Sequence, residues 1–464
     1  MSEAARSSSA PLDLAAATGM RAMRSERIGW AWLAVGALAV AGVFALLLAV
    51  SRIPGMAESS VWPVGFFYKG LVIHVVFSLV IWLLGIFAFL VTTATCQAAG
   101  DAVRAAPLGR IGQGLVLVAF PCLFAPAFFD ASRPELTNYI PLIRHPLYDI
   151  GLLLLGAGVL APVLRLFLNL PERGRASPLV LGMGVGGFAY AVALFCFAVA
   201  AVLQARTGDL PYARDTLLWG GGHVLQFAYA AMLLMNWRIL AERSLGAQAV
   251  DARAFRTSLL MIAGITAIAP FFYAIFAPFS EGQYEAFRFL QFFIAIPSLL
   301  FGGSLLLRMR GRALPWRDPA FFTLGASLAL FALGGAMGFL IDGHDTRTPA
   351  HYHAVITAVS VSSAGMLLTF GLEQLGRAPA SARAVRWLIG FYAGGQFVAS
   401  IAMFVAGGYG AARKTPTGEL EPMAAAGMAV HGIASIFTII GGAAFVVVAL
   451  LALARAARPA VSRT

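Results

Sequence analysis

Long apolar runs, broken only by short polar or arginine-rich turns, dominate the chain. Twelve of them stand at 29–50, 68–93, 109–129, 148–170, 178–203, 217–240, 255–277, 286–307, 320–341, 351–375, 384–407 and 424–455. Each has the roughly 20 residues that carry a helix across a ~30 Å hydrocarbon core. Backbone amides in lipid must be satisfied within their own segment or within a closed barrel, so runs of this length predict helices. The predicted fold is an all-α, polytopic membrane protein of twelve transmembrane helices, here called spans 1 to 12. The domain plan is a disordered cytoplasmic tail over 1–28, a membrane domain over 29–455 and a second cytoplasmic tail over 456–464. The first tail is rich in Ala, Ser and Arg without an apolar core, which reads as a solvated segment and not as a cleaved signal peptide.

Composition sharpens this picture. Of the 464 residues 60% are hydrophobic and 12% charged, leaving no room for a large soluble domain. The net charge of +12 would suit a nucleic-acid partner if it formed a patch. Instead, two thirds of the 33 lysines and arginines fall on the side of the N-terminus when the spans alternate, with Arg165 inside a span. That is the positive-inside distribution, with both termini cytoplasmic, and it argues for no nucleic-acid partner.

Candidate chemistry rests on seven histidines. His74, His223, His353 and His431 fall in the first turns of spans 2, 6, 10 and 12, which all run in one direction. Four imidazoles therefore share a depth near the outer face, and an ionisable group inside a span is a functional-site hypothesis by default. Span 10 is densest, with His344-Asp345-Thr346 upstream and His351-Tyr352-His353 at its start. Helical residues two apart project about 200° apart, so one helix can offer an imidazole to each of two partners. Neutral imidazole is a usual axial haem ligand, and two haems flanking one helix need this pattern. Cys96, Cys122 and Cys196 are scattered through apolar segments and read as buried thiols. No Cys-x-x-Cys-His occurs, so no c-type haem is attached to the chain. His431 reads as a hydrogen-bonding residue, His145 as an outer surface residue, Glu373 as a solvated carboxylate and Tyr273 as an interfacial aromatic.

Several segments, taken in order, resemble one family. They are Lys69-Gly70-Leu71-Val72-Ile73-His74 in span 2, Trp219-Gly220-Gly221-Gly222-His223 in span 6 and Ala350-His351-Tyr352-His353 in span 10. His344-Asp345-Thr346 and, after span 11, Ala412-Arg413-Lys414 add to them. Together they resemble the haem–copper oxidase superfamily, which holds the twelve-helix subunit I of cytochrome and quinol oxidases and the nitric oxide reductases. The resemblance implies two haems. His74 and His353 would be the axial ligands of a low-spin haem, and His351 the single ligand of a high-spin haem. Arg413, Lys414, His344 and Asp345 would lie at the propionates, and Trp219 at the cofactor site. It further implies a bacterial inner-membrane oxidoreductase of a respiratory chain, reducing dioxygen or nitric oxide. Its electrons would come from a cytochrome c-type or cupredoxin-type partner on the outer face.

One departure limits that implication. The family's copper takes one histidine from span 6, here His223, and an adjacent pair from span 7. Ten residues before Glu281-Gly282, where one branch of the oxidases has that pair, this chain has Phe271-Phe272. Phenylalanine has no lone pair to give a metal. His223 is then a remnant copper ligand, and bound copper or non-haem iron is not expected. The alternative function is a non-enzymatic one, diatomic-gas binding or electron transfer by a haem protein without a second metal.

Overall fold

A computed structural model describes residues 23–51, 66–100, 102–137, 141–172, 174–207, 214–341, 343–378, 380–413 and 420–455. Twelve helices there are long and apolar enough to cross a membrane: Arg24–Leu48, Phe67–Ala99, Pro107–Phe128, Pro146–Leu168, Pro178–Thr207, Arg214–Leu245, Ala252–Ile275, Glu281–Met309, Pro319–Gly338, Arg347–Gln374, Ala382–Gly408 and Pro422–Ala454. They are spans 1 to 12. Burial sorts them into two classes. In the most apolar stretch of spans 2, 6 and 10, 83%, 89% and 89% of residues are buried, whereas the other nine spans lie between 28% and 50%. A helix buried on all sides needs apolar or small residues all round, while a peripheral one can leave a face to lipid.

Residues 1–22 and 456–464 lie outside the described residues, so most of both expected tails does too. Residues 24–28, assigned above to the first tail, are instead helical and begin span 1. Their polar side chains have partners that sequence could not supply. The Arg165 guanidinium donates to both Glu26 carboxylate oxygens at 2.7 and 2.5 Å, with 0% and 4% of the two side chains exposed. Thr92 donates to the same carboxylate at 3.1 Å. Burying either charge alone would cost several kcal/mol, so the pair is viable only with both members in place.

The helices form two compact units. The first holds the start of span 1, spans 2 to 5, most of span 6, and spans 7 and 8. Within it span 3 packs on span 4, span 2 on spans 4 and 5, and span 7 on spans 5 and 8. A short antiparallel hairpin, β1 (Arg133–Glu135) and β2 (Leu142–Arg144), precedes span 4. The second unit holds the rest of span 1, the end of span 6 and spans 9 to 12, with span 11 packed on spans 9, 10 and 12 and span 9 on span 10.

Two of the most buried helices depart from regular α geometry. Span 2 is π-helical over Val76–Ile81, one turn beyond His74, and span 10 over Leu367–Gly371. Such insertions disturb the i to i−4 ladder and recur at functional sites. In span 2 the Tyr229 hydroxyl of span 6 reaches the Leu79 carbonyl inside the irregular turn at 3.4 Å. At the far end of span 10, Glu373 is not the solvated carboxylate expected above. Arg243 holds both its oxygens at 2.9 and 2.7 Å.

Candidate functional site

In the first unit, span 6 presents the buried His223, 3% exposed. Its Nδ1 lies 2.6 Å from the Trp219 carbonyl, one turn back. A carbonyl can only accept, so Nδ1 carries the proton and the ring lone pair sits on Nε2. Trp219 stacks obliquely on the imidazole, centroids 4.5 Å apart, and its indole N–H donates to the Tyr284 carbonyl at 3.0 Å. Trp219 therefore holds His223 from two directions. The glycines between them have a steric reason: a Cβ on Gly220 would overlap the Tyr273 hydroxyl and sit 2.8 Å from Phe287, and one on Gly221 would overlap Phe197.

Span 2 presents His74, half-buried, whose carbonyl accepts from Ser78 at 2.6 Å. Lys69, one turn before it, donates to the Phe129 carbonyl at 2.7 Å and so ties the start of span 2 to the segment after span 3.

The span 7 segment differs from its expectation. Phe271 and Phe272 do not act as a pair. A 3-10 turn at Ala269–Phe271 rotates Phe271 outward, 61% exposed, while Phe272 meets Phe287 edge-on at 5.2 Å. Tyr273, read above as an interfacial aromatic, instead sits against Phe287 and the glycines of span 6, with its hydroxyl buried. Among the described residues, no group of three or more His, Cys, Asp or Glu gathers as a metal site.

In the second unit, span 10 offers His351 and His353. The His351 Nδ1 donates to the Gly334 carbonyl of span 9 at 2.7 Å, again leaving the lone pair on Nε2. A Cβ on Gly338 would come 2.8 Å from the His351 ring, so this glycine leaves room for the imidazole. His353 stacks on Tyr352, centroids 5.2 Å apart and planes 24° from parallel.

The segments assigned above to the propionates do meet. Asp345 forms an isolated antiparallel bridge with Ala412, and the Thr346 amide donates to the Ala411 carbonyl at 3.0 Å. This sets exposed His344 and Asp345 beside Arg413. Asp345 also accepts from the Arg347 backbone and guanidinium at 2.7 and 2.8 Å. Lys414 lies outside the described residues.

Some roles were missed or only half seen in sequence. The carbonyls of Gly334 and Trp219 orient two imidazoles, yet any residue supplies a carbonyl, so no side-chain signal marks them. His431 donates to the Ala399 carbonyl of span 11 at 3.1 Å, as a hydrogen-bonding residue would. His145 caps span 4 by accepting from the Leu147 amide at 3.1 Å. All three cysteines are buried and none of them is in a disulfide.

Comparison with known proteins agrees with this architecture. Residues 27–442 match the family described as cytochrome c and quinol oxidase polypeptide I. An uncharacterized protein of Aquifex aeolicus (strain VF5) is 29% identical over 360 residues, covering 75% of this chain and 84% of the relative. An uncharacterized protein of Rickettsia prowazekii (strain Madrid E) is 24% identical, covering 90% of this chain and 94% of the relative. A haem–copper terminal oxidase dimer solved by cryo-EM shares the fold, with a TM-score of 0.78 at 16% identity over 94% of this chain and 85% of its own. With a match across nearly the whole membrane domain and the fold of a terminal oxidase, this multi-pass membrane protein belongs to the cytochrome c and quinol oxidase polypeptide I family, the haem–copper oxidase subunit I type.

Proposed function

We propose that the protein is the haem-bearing membrane subunit of an oxidase-like or nitric-oxide-reductase-like complex in a bacterial inner membrane. Its donor would be a c-type cytochrome or cupredoxin-type partner on the outer face. The family implies haem cofactors, and the residues present fit them. His351 carries the observation that supports this best: its Nδ1 proton is committed to the Gly334 carbonyl, which turns the Nε2 lone pair outward. Metal-bound histidines usually donate their other N–H to a carbonyl in this way. The bond alone does not make a ligand, since His223 and His431 show it too; what adds to it at His351 is the family resemblance of the Ala350-His351-Tyr352-His353 segment.

In this reading His74 and His353 would hold one haem and His351 would hold a second. Bound there, the haems supply electron transfer and an iron with a position for a diatomic molecule. Arg413, Lys414, His344 and Asp345 would meet the propionates. A guanidinium favours carboxylates through charge-assisted bonds, and the Asp345–Ala412 bridge fixes where that segment lies.

The donors around His223 do not fit copper. Phe271 faces outward, Phe272 is apolar, and Tyr273 brings a hydroxyl to the span 6 glycines. That donor set favours, as a second reading, a protein that binds a diatomic gas or carries electrons without a second metal.

The test combines haem quantitation, elemental analysis and the variant His74→Ala in the full-length protein. Two haems per chain and no stoichiometric copper or non-haem iron are expected, with His74→Ala losing the bis-imidazole optical and EPR signal. An unchanged low-spin spectrum in that variant sinks the ligand assignment. One equivalent of copper or non-haem iron per chain with brisk oxygen consumption sinks the reading of span 7.

A further inference from the structure

A groove of about 730 Å³ opens on the second unit between spans 9, 11 and 12. It is independent of every histidine discussed above. Its walls are Phe322, Trp387, Phe391, Val398, Ile433 and Phe437, with Gly390 and Gly394 along its floor. Trp387, Phe391 and Phe437 form a continuous aromatic stack, with successive centroids 5.6 and 5.8 Å apart and planes within 28°. This is an apolar channel with one polar end. The Arg386 guanidinium and the Trp387 indole supply the only polar side-chain atoms of the wall, and both lie in the first turns of span 11.

We propose that this groove binds one anionic phospholipid, its acyl chain along span 11 and its headgroup at Arg386. Length fits first. From Arg386 to Val398 the helix rises about 18 Å at 1.5 Å per residue. One leaflet, half of a ~30 Å hydrocarbon core, is about as deep. Depth fits as well, because an arginine beside a tryptophan at a helix start marks the headgroup level.

Charge complementarity then chooses the headgroup. Arg386 donates to the Arg317 carbonyl, which fixes its guanidinium at the mouth beside the exposed Arg317 and Arg383 side chains. Asp318, the nearest acid in sequence, is engaged as the cap of span 9 through the Ala320 and Phe321 amides. Arg317, Arg383 and Arg386 outweigh Asp318, so this region is net positive, and basic residues at this level attract anionic lipid headgroups. An isoprenoid quinone fits less well. Its ring carries two opposed carbonyls, and only one end of this groove offers donors, so the second carbonyl would be buried unsatisfied.

Gly394 provides a clean test. A Cβ there meets nothing within 4 Å and the residue lines the groove, so a larger side chain starts without a clash and extends into the groove. It also replaces a helix-interior glycine, which favours the helix. The full-length protein, Gly394→Phe and Arg386→Gln are purified in mild detergent. They are then titrated with phosphatidylglycerol or phosphatidylcholine of identical acyl chains and examined by native mass spectrometry. The unmodified protein should retain one phosphatidylglycerol per chain, at least tenfold in preference to phosphatidylcholine. Gly394→Phe should cut retention of both lipids more than fivefold while keeping the helical circular dichroism and the haem spectrum. Arg386→Gln should keep binding but lose the headgroup preference. The proposal is overturned if the unmodified protein shows no preference, if Gly394→Phe retains lipid unchanged, or if a quinone is recovered in the groove instead.

Discussion

The start of span 10 and the turn in span 7 are both short segments to which the family resemblance assigns metal-ligand positions, and the two are built differently. At span 10 the His351 imidazole is supported from outside the helix. Span 9 gives His351 a carbonyl and a glycine-sized space, and Ala411 and Ala412 pair with Thr346 and Asp345. At span 7 the residues in the copper-ligand register are phenylalanines, one of them turned out of the protein. The helix around it is also less enclosed, 28% buried against 89%. The comparison teaches that a side chain is fixed where several elements converge on it. At span 7 the turn packs instead as an aromatic cluster.

The largest expected effect tests the span 10 side. His351→Ala removes the proposed ligand of the second haem, so carbon monoxide binding by the reduced protein should vanish while the low-spin spectrum persists. Retained carbon monoxide binding would break the comparison at its stronger end. A gentler probe is Gly338→Ala, whose new methyl would press on the His351 ring. Displacing that ring from the Gly334 carbonyl should weaken carbon monoxide binding about tenfold, corresponding to about 1.4 kcal/mol. Flash-photolysis rebinding would show it, and unaltered kinetics would mean the carbonyl does not position His351.

The smallest effects test span 7. Phe272→Ala should lower stability by about 1–3 kcal/mol, because it deletes an edge-on aromatic contact and half-buried area. Phe271→Ala should stay within about 0.5 kcal/mol, since that side chain faces outward. Thermal unfolding in detergent separates the two. Equal losses would show that both rings pack inward and that the turn is wrongly oriented.

Much of this was legible in the chain. Twelve spans follow from run length alone, because lipid forces each apolar segment to close its own hydrogen bonds. The order of the His74, His223 and His351-Tyr352-His353 motifs reads directly, as does the Phe271-Phe272 pair in span 7. Other features are silent in sequence. Glu26 looks like part of a polar tail until Arg165, 139 residues away, is seen against it. Tyr273 reads as an interfacial aromatic until Gly220 is found to leave room for its hydroxyl.

The sequence by itself determined the family, the all-helical membrane fold and which residue types stand in the segments that resemble the family's motifs. These are local or additive properties: hydropathy sums along a run, and a side chain has or lacks a lone pair. Only the tertiary structure decided which of those side chains are held, which way Phe271 faces, and that an apolar groove with a cationic mouth lies beside span 11. Each depends on atoms from different helices coming within a few ångströms. That proximity is a property of packing, and no single segment encodes it.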